Sequence, residues 1–170
     1  VGGIMTIVAI GKSAWNLVKD NKPVVDYNSD WAGAVPQEYY EDWTSLEGWK
    51  DKESDEFRFH YKVAGDTVSE LKWKFVWSYG GHDKDGRGAY VLNAGAHLDN
   101  AYARAGQWIE ADVKVHDPVN YGDTEQPIGG VDIEVKFKST SNFNSATTTC
   151  TFTCKGDGSS KVQSCKGNDP

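Results

Sequence analysis

Methionine occurs once, cysteine three times and proline five times in this chain of 170 residues. Positive charge is also scarce, with 18 Lys and Arg against 25 Asp and Glu and a net charge of −7. Nucleic-acid binders draw their affinity from cations placed on phosphates, so no nucleic-acid partner is expected. The same balance argues against a polybasic anchor on an anionic membrane. No apolar run approaches the roughly 18 residues of a spanning helix. The chain has no G-x-S-x-G, H-E-x-x-H, P-loop or G-x-G-x-x-G segment, and no Asn-x-Ser/Thr acceptor. These absences point away from an enzyme and from N-glycosylation.

Aromatic residues, by contrast, are plentiful. Seven Trp, eight Tyr and six Phe make up 12% of the chain, which excludes disorder, since disordered chains are poor in aromatics. The length fits one domain over residues 1–170, large enough to bury roughly 70% of its chain surface.

The first segment, Ile4 to Asp20, has helical spacing. Ile4, Ile7, Val8, Gly11, Trp15 and Val18 fall at i, i+3, i+4 and i+7, and Lys12, Ser13, Asn16, Lys19 and Asp20 share the other half of the wheel. This predicts an amphipathic helix within residues 1–21, stopped by Pro23. Its contact face is Ile4, Ile7, Val8, Trp15 and Val18, available to a second subunit or to a membrane. The almost unbroken apolar run Ile4 to Ile10 also fits a strand.

After Pro23 the period changes to two. Phe57, Phe59, Tyr61 and Val63 alternate with Glu56, Arg58, His60 and Lys62, and Leu71, Trp73, Phe75, Trp77 and Tyr79 alternate with Lys72, Lys74 and Ser78, Val76 being the one exception. A three-residue loop, Ala64-Gly65-Asp66, is expected to join these runs with both aromatic faces on one side. Ile109 to Val115 and Val131 to Phe137 repeat the alternation, and Pro23–Tyr27, Tyr90–Leu98, Thr147–Cys154 and Lys161–Cys165 are shorter candidates. One buried and one wet face is the mark of antiparallel sheets. The predicted class is all-β, an antiparallel β-sandwich of about eight strands with one short amphipathic N-terminal helix; a β-barrel is the alternative. Residues 22–145 form the sandwich and 146–170 a C-terminal hairpin. A helix ahead of an aromatic-rich sandwich resembles actinoporin-like pore-forming toxins in layout and length, which would imply membrane action; no residue motif is shared.

Cys150, Phe152 and Cys154 share one strand face, and residues four apart on a strand lie roughly 13 Å apart, too far for a disulfide. A chain reversal at Lys155 to Ser160 that sets Cys154 opposite Lys161 also sets Cys150 opposite Cys165. The expected disulfide is therefore Cys150–Cys165, with Cys154–Cys165 as its rival. Cys154 is left as a buried free thiol or an intermolecular bridge. A disulfide, the Ser/Thr-rich tract 139–153 and a start at Val1 that looks like a processed N-terminus together predict a secreted, extracellular protein.

Ligand candidates are weaker. Trp31, Tyr39, Tyr40, Trp43 and Trp49 fall in an acidic stretch that reads as a loop, suited either to stacking on a glycan or to covering an open edge. Asp26-x-Asn28-x-Asp30 and Asp83-x-Asp85-Gly86 are partial calcium spacings, but each lacks a closing Glu. The simpler readings are a polar strand edge and a solvated turn, so no cofactor is expected, and calcium is the one ion these spacings suit. His60, His82, His97 and His116 are scattered. The long polar connections Gly80 to Gly88 and Pro118 to Pro127 are where binding loops are expected. The leading functional expectation is a secreted, non-enzymatic, self-assembling structural subunit whose partner is itself, with the N-terminal apolar segment at the contact. A membrane-active protein and a lectin-like glycan-binding module are the alternatives.

Overall fold

The computed structural model describes residues 5–19, 22–36, 39 and 42–166, with side chains described from Ser29 onward except at Trp43 and Lys166. Within them the strands are β1 (Met5–Lys19), β2 (Lys22–Pro36), β3 (Lys50–Glu53), β4 (Phe57–Val63), β5 (Asp66–Gly81) and β6 (Tyr90–Ala103). They continue with β7 (Trp108–Val115), β8 (Val119–Asn120), β9 (Gly129–Thr140), β10 (Ser145–Lys155) and β11 (Ser160–Lys166). The all-β expectation holds. Every alternating run named from the sequence is a strand.

The N-terminal helix is corrected. Met5–Lys19 is a strand that runs antiparallel to β2, from Met5 opposite Pro36 to Lys19 opposite Lys22. Thr6, Ile7, Val8, Ile10 and Val18 are β-branched, which lowers helix propensity and suits a pleated surface. A lone helix of this length is marginal in water, whereas β2 supplies backbone partners along the whole segment. Pro23 ends no helix; it sits near the start of β2 opposite Val18.

The strands form one curled sheet in the order β11-β10-β9-β7-β2-β6-β5-β3, with β1 beside β2, β4 beside β5 and β8 beside β9. One pair departs from the antiparallel expectation: Val25 to Ser29 of β2 run parallel to Ile109 to Val113 of β7. Further along, Ala32 and Ala34 of β2 pair antiparallel with Ala94 and Val91 of β6. Because β1 follows β2 for its full length, β7 and β6 occupy the opposite edge of β2 in succession. Burial changes phase at this handover: Ser29, Ala32 and Ala34 are buried, while Trp31 between them is 40% exposed. The β1–β2 register also slips opposite this point, between Ala9 and Gly11. Such bulges bend and twist a strand.

The curl brings aromatic faces together. Phe75 of β5 stacks on Phe152 of β10 with ring centres 4.5 Å apart, and Phe59 of β4 meets Phe137 of β9 at 4.1 Å. Ile109, Ala111, Val113, Val131, Ile133 and Val135 complete this core. The outer faces carry the charge. Glu110 lies opposite Lys138, Asp112 opposite Lys136 and Lys114 opposite Glu134, pairings of opposite sign that suit neighbouring strands.

The β4–β5 turn differs from expectation in one detail. It has two residues, Ala64 at φ 51° and Gly65 at φ 88°, the left-handed pair that tight hairpins require. A two-residue turn alone would set Phe57 opposite Lys72, on the wrong face. The ladder instead skips Val68, passing from Lys62–Thr67 to Tyr61–Ser69, and this extra residue places Phe57 opposite Trp73.

A buried polar chain ties the end of the core. The Ser69 hydroxyl donates to Ser139 Oγ at 2.7 Å, and Gln107 Nε2 donates to Ser139 Oγ at 2.7 Å and to Asn144 Oδ1 at 3.1 Å. Ser69 and Ser139 are fully buried. Replacing Ser139→Ala strands two donors away from water and should cost about 1–3 kcal/mol in urea unfolding.

Candidate functional site

The residues singled out in the N-terminal segment now lie on an edge strand. Ile7, Val8, Trp15 and Val18 fall on β1 opposite Ala34, Gly33, Tyr27 and Pro23 of β2; Ile4 lies outside the described residues. Among the described residues β1 pairs with β2 alone, so its outer edge carries a row of backbone donors and acceptors without a strand partner. Edges of this length are usually shortened, charged or covered, because they template pairing with another chain. β1 has no charged residue from Met5 to Gly11. Ile10, in the bulge, has no opposite number on β2.

Of the five aromatic candidates, the side chains of Trp31, Tyr39 and Trp49 are described; Tyr39 and Trp49 share one cluster, and Trp31 lies elsewhere. Trp31 belongs to β2, not to a loop, and its ring lies over Gly95, where a β-carbon would come within 3.0 Å. Tyr39 and Trp49 pack on the cluster Val35, Leu46 and Tyr90. The Trp49 ring covers the backbone of Gly81 so closely that a β-carbon there would lie 2.3 Å from it. These two rings serve as cover for the core. Trp43 begins a 3-10 turn, Trp43–Ser45, and Tyr40 lies outside the described residues. Trp49→Ala should therefore cost about 3 kcal/mol in urea unfolding, as expected for an aromatic removed from a packed site, and Trp31→Ala under about 1 kcal/mol.

The calcium spacings are spent on structure or spread along a strand. Asp83 Oδ1 accepts from the Asp85 and Arg87 amides, both at 2.9 Å, which shapes the turn. Asp26 and Asn28 fall opposite Glu110 and Asp112 in the parallel ladder, and Asp30 opposite Lys12. No group of three or more metal-binding side chains occurs among the described residues. His60 lies opposite Glu70 on β5, and His116 Nε2 is 3.0 Å from Glu134 Oε2, so the two histidines are not brought together.

The two long polar connections do meet. Arg87 Nε donates to the Glu125 carbonyl at 3.0 Å and Arg87 Nη2 to that of Thr124 at 3.1 Å. The Ala89 amide donates to Pro127 O at 2.9 Å. The sequence marks both as candidate binding loops but does not pair them, and only the backbone acceptors on the second reveal the role of Arg87.

Cys150 and Cys165 are joined, as the register reasoning expects, and Cys154 is free and buried. The register differs locally. Cys154 faces Ser160, not Lys161, and a slip between Thr151 and Phe152 restores Cys150 opposite Cys165. Burial pushes the Cys154 thiol far above its usual range, and nearby Asp132 adds to the shift. Native Cys154 should therefore stay silent to a thiol reagent at pH 8 and react at once in urea. The folded state holds this proton after the unfolded state has lost it, so stability should fall as pH rises above about 8.5.

Comparison with protein-family models, curated proteins and solved structures finds no match to this chain. The disulfide is compatible with an extracellular protein. No helix among the described residues is long and apolar enough to cross a membrane.

Proposed function

We propose that this is a secreted, non-enzymatic structural subunit that assembles with copies of itself by strand addition along β1. The fold is read as a sandwich, with β4, β5 and β6 facing β7, β9 and β10. The observation that carries the assembly reading is the position of β1. It is a 15-residue strand, paired on one side among the described residues, whose first seven residues bear no charge. A second copy can supply the missing ladder with main-chain bonds, and the apolar side chains set the register. The net charge of −7 favours solubility and opposes contact between copies, and the alternation of acidic and basic residues on the outer faces relieves that repulsion. The membrane-active alternative rested on an N-terminal helix, and the glycan-binding alternative on a shared aromatic platform. Neither is favoured by the strand at Met5–Lys19 or by the packing of Tyr39 and Trp49.

The test is sedimentation velocity of the full chain across a wide concentration range. The wild type should form concentration-dependent oligomers. Ile10→Pro should remain folded, because Ile10 has no place in the β2 ladder, yet stay monomeric, because proline blunts an edge. Near-UV circular dichroism checks the fold, and Trp31→Ala should assemble as the wild type does. A wild type that stays monomeric at high concentration, or a folded Ile10→Pro that assembles unchanged, overturns the reading.

A further inference from the structure

A second exposed apolar feature lies where three turns meet: residues 64–65 between β4 and β5, 104–107 between β6 and β7, and 141–144 between β9 and β10. They are held together. The Arg104 amide donates to Val68 O at 2.9 Å, and the buried Ser69–Ser139–Gln107–Asn144 chain links the start of β5, the end of β9 and the other two turns. The third turn is also closed by its own bonds. The Ser141 amide donates to Asn144 O at 2.8 Å, and Ser141 Oγ accepts from the Phe143 and Asn144 amides at 3.1 and 3.2 Å. Phe143 stands on this turn and is 95% exposed. Trp108, opposite Thr140 at the end of β9, is 55% exposed. A single exposed apolar residue is ordinary; here two aromatic residues share one braced tip.

The surroundings of the tip select its partner. Residues 139–154 carry no charge, and Arg104 is the one charged residue within the three turns. The chain's excess of negative charge therefore lies elsewhere. Even fully covered, two aromatic side chains bury roughly 150–250 Å² each, far short of the roughly 800 Å² per partner of a standard protein interface. A lipid surface needs no matching shape. Its acyl boundary takes single rings, and Trp settles at the headgroup level. An anionic surface would repel a chain of net charge −7, whereas a zwitterionic one would not. We propose that this tip rests in the interface of a zwitterionic membrane, with Phe143 entering the acyl boundary, Trp108 at the headgroups and Arg104 beside the lipid phosphates. Bracing the turn in advance lowers the ordering cost of insertion. A single myristoyl chain gives only marginal, reversible binding, so the contact made by one copy is weak and short-lived.

Paramagnetic broadening detects contacts of this strength. Nitrogen-15 labelled protein is mixed with phosphatidylcholine bicelles carrying a headgroup nitroxide. Each signal is compared before and after ascorbate quenches the nitroxide, which cancels any broadening from assembly. The amides of residues 141–144 and the Trp108 indole, assigned with Trp108→Phe, should broaden most. The indole of Trp31, 40% exposed on β2, should not. Phe143→Ser should cut the broadening roughly tenfold, the loss of one ring's burial, and Phe143→Trp should keep it. Both variants should fold, because Phe143 lies outside the core. Replacing part of the phosphatidylcholine with phosphatidylserine should weaken the contact. No selective broadening at the tip, broadening unchanged in Phe143→Ser, or stronger broadening with phosphatidylserine would each overturn the proposal. So would shifts at Trp108 caused by a neutral oligosaccharide such as maltoheptaose while bicelles have no effect.

Discussion

The rest of the structure depends on the divided pairing of β2. Its first half runs parallel to β7, and its second half runs antiparallel to β6. Along the main path of the sheet β2 is the strand between β7 and β6, so it joins the run β11-β10-β9-β7 to the run β6-β5-β3. The change of partner occurs where burial shifts phase from Ser29 to Ala32. Bending there lets one sheet curl, and the curl sets Phe75 against Phe152 and Phe59 against Phe137. Hydrophobic burial provides the energy of the fold. The handover on β2 decides which faces can be buried together.

The same arrangement produces the edge at β1. With β7 and β6 together on one side of β2, the other side is left for β1, and β1 becomes an outermost strand. The N-terminal segment is thus tied in by β2 but, on its far side, unpaired among the described residues. An apolar sequence that would make an ordinary central strand becomes a template for another chain when it lies at an edge.

Much of this was legible in the sequence. Period-two alternation from Phe57 onward marks the strands because one face is wet and the other packed. The Cys150–Cys165 pairing follows from counting residues around a reversal. Near misses arise where bulges intervene: Val68 is skipped on β5, and Cys154 faces Ser160 instead of Lys161. Such slips depend on packing against neighbours that no local spacing reveals. The N-terminal segment misleads for a different reason. Its apolar residues are dense enough to satisfy both helical and strand spacing, and the choice is made by a partner strand. The parallel β2–β7 ladder joins residues more than 80 positions apart, and nothing local announces it. Trp49 is ambiguous in the same way. Its value as cover depends on the bare backbone of Gly81, far along the chain.

The central claim, that β1 is a strand whose outer edge recruits a second copy, is tested most directly by amide hydrogen exchange resolved along residues 5–19. In dilute monomer, amides bonded to β2 should be protected, while those alternating with them exchange quickly. At assembling concentrations the fast set should become slow, with little change elsewhere in the sheet. Fast exchange at every position of β1 would contradict the strand itself. An unchanged alternating pattern in the assembled state would place the contact between copies somewhere other than β1.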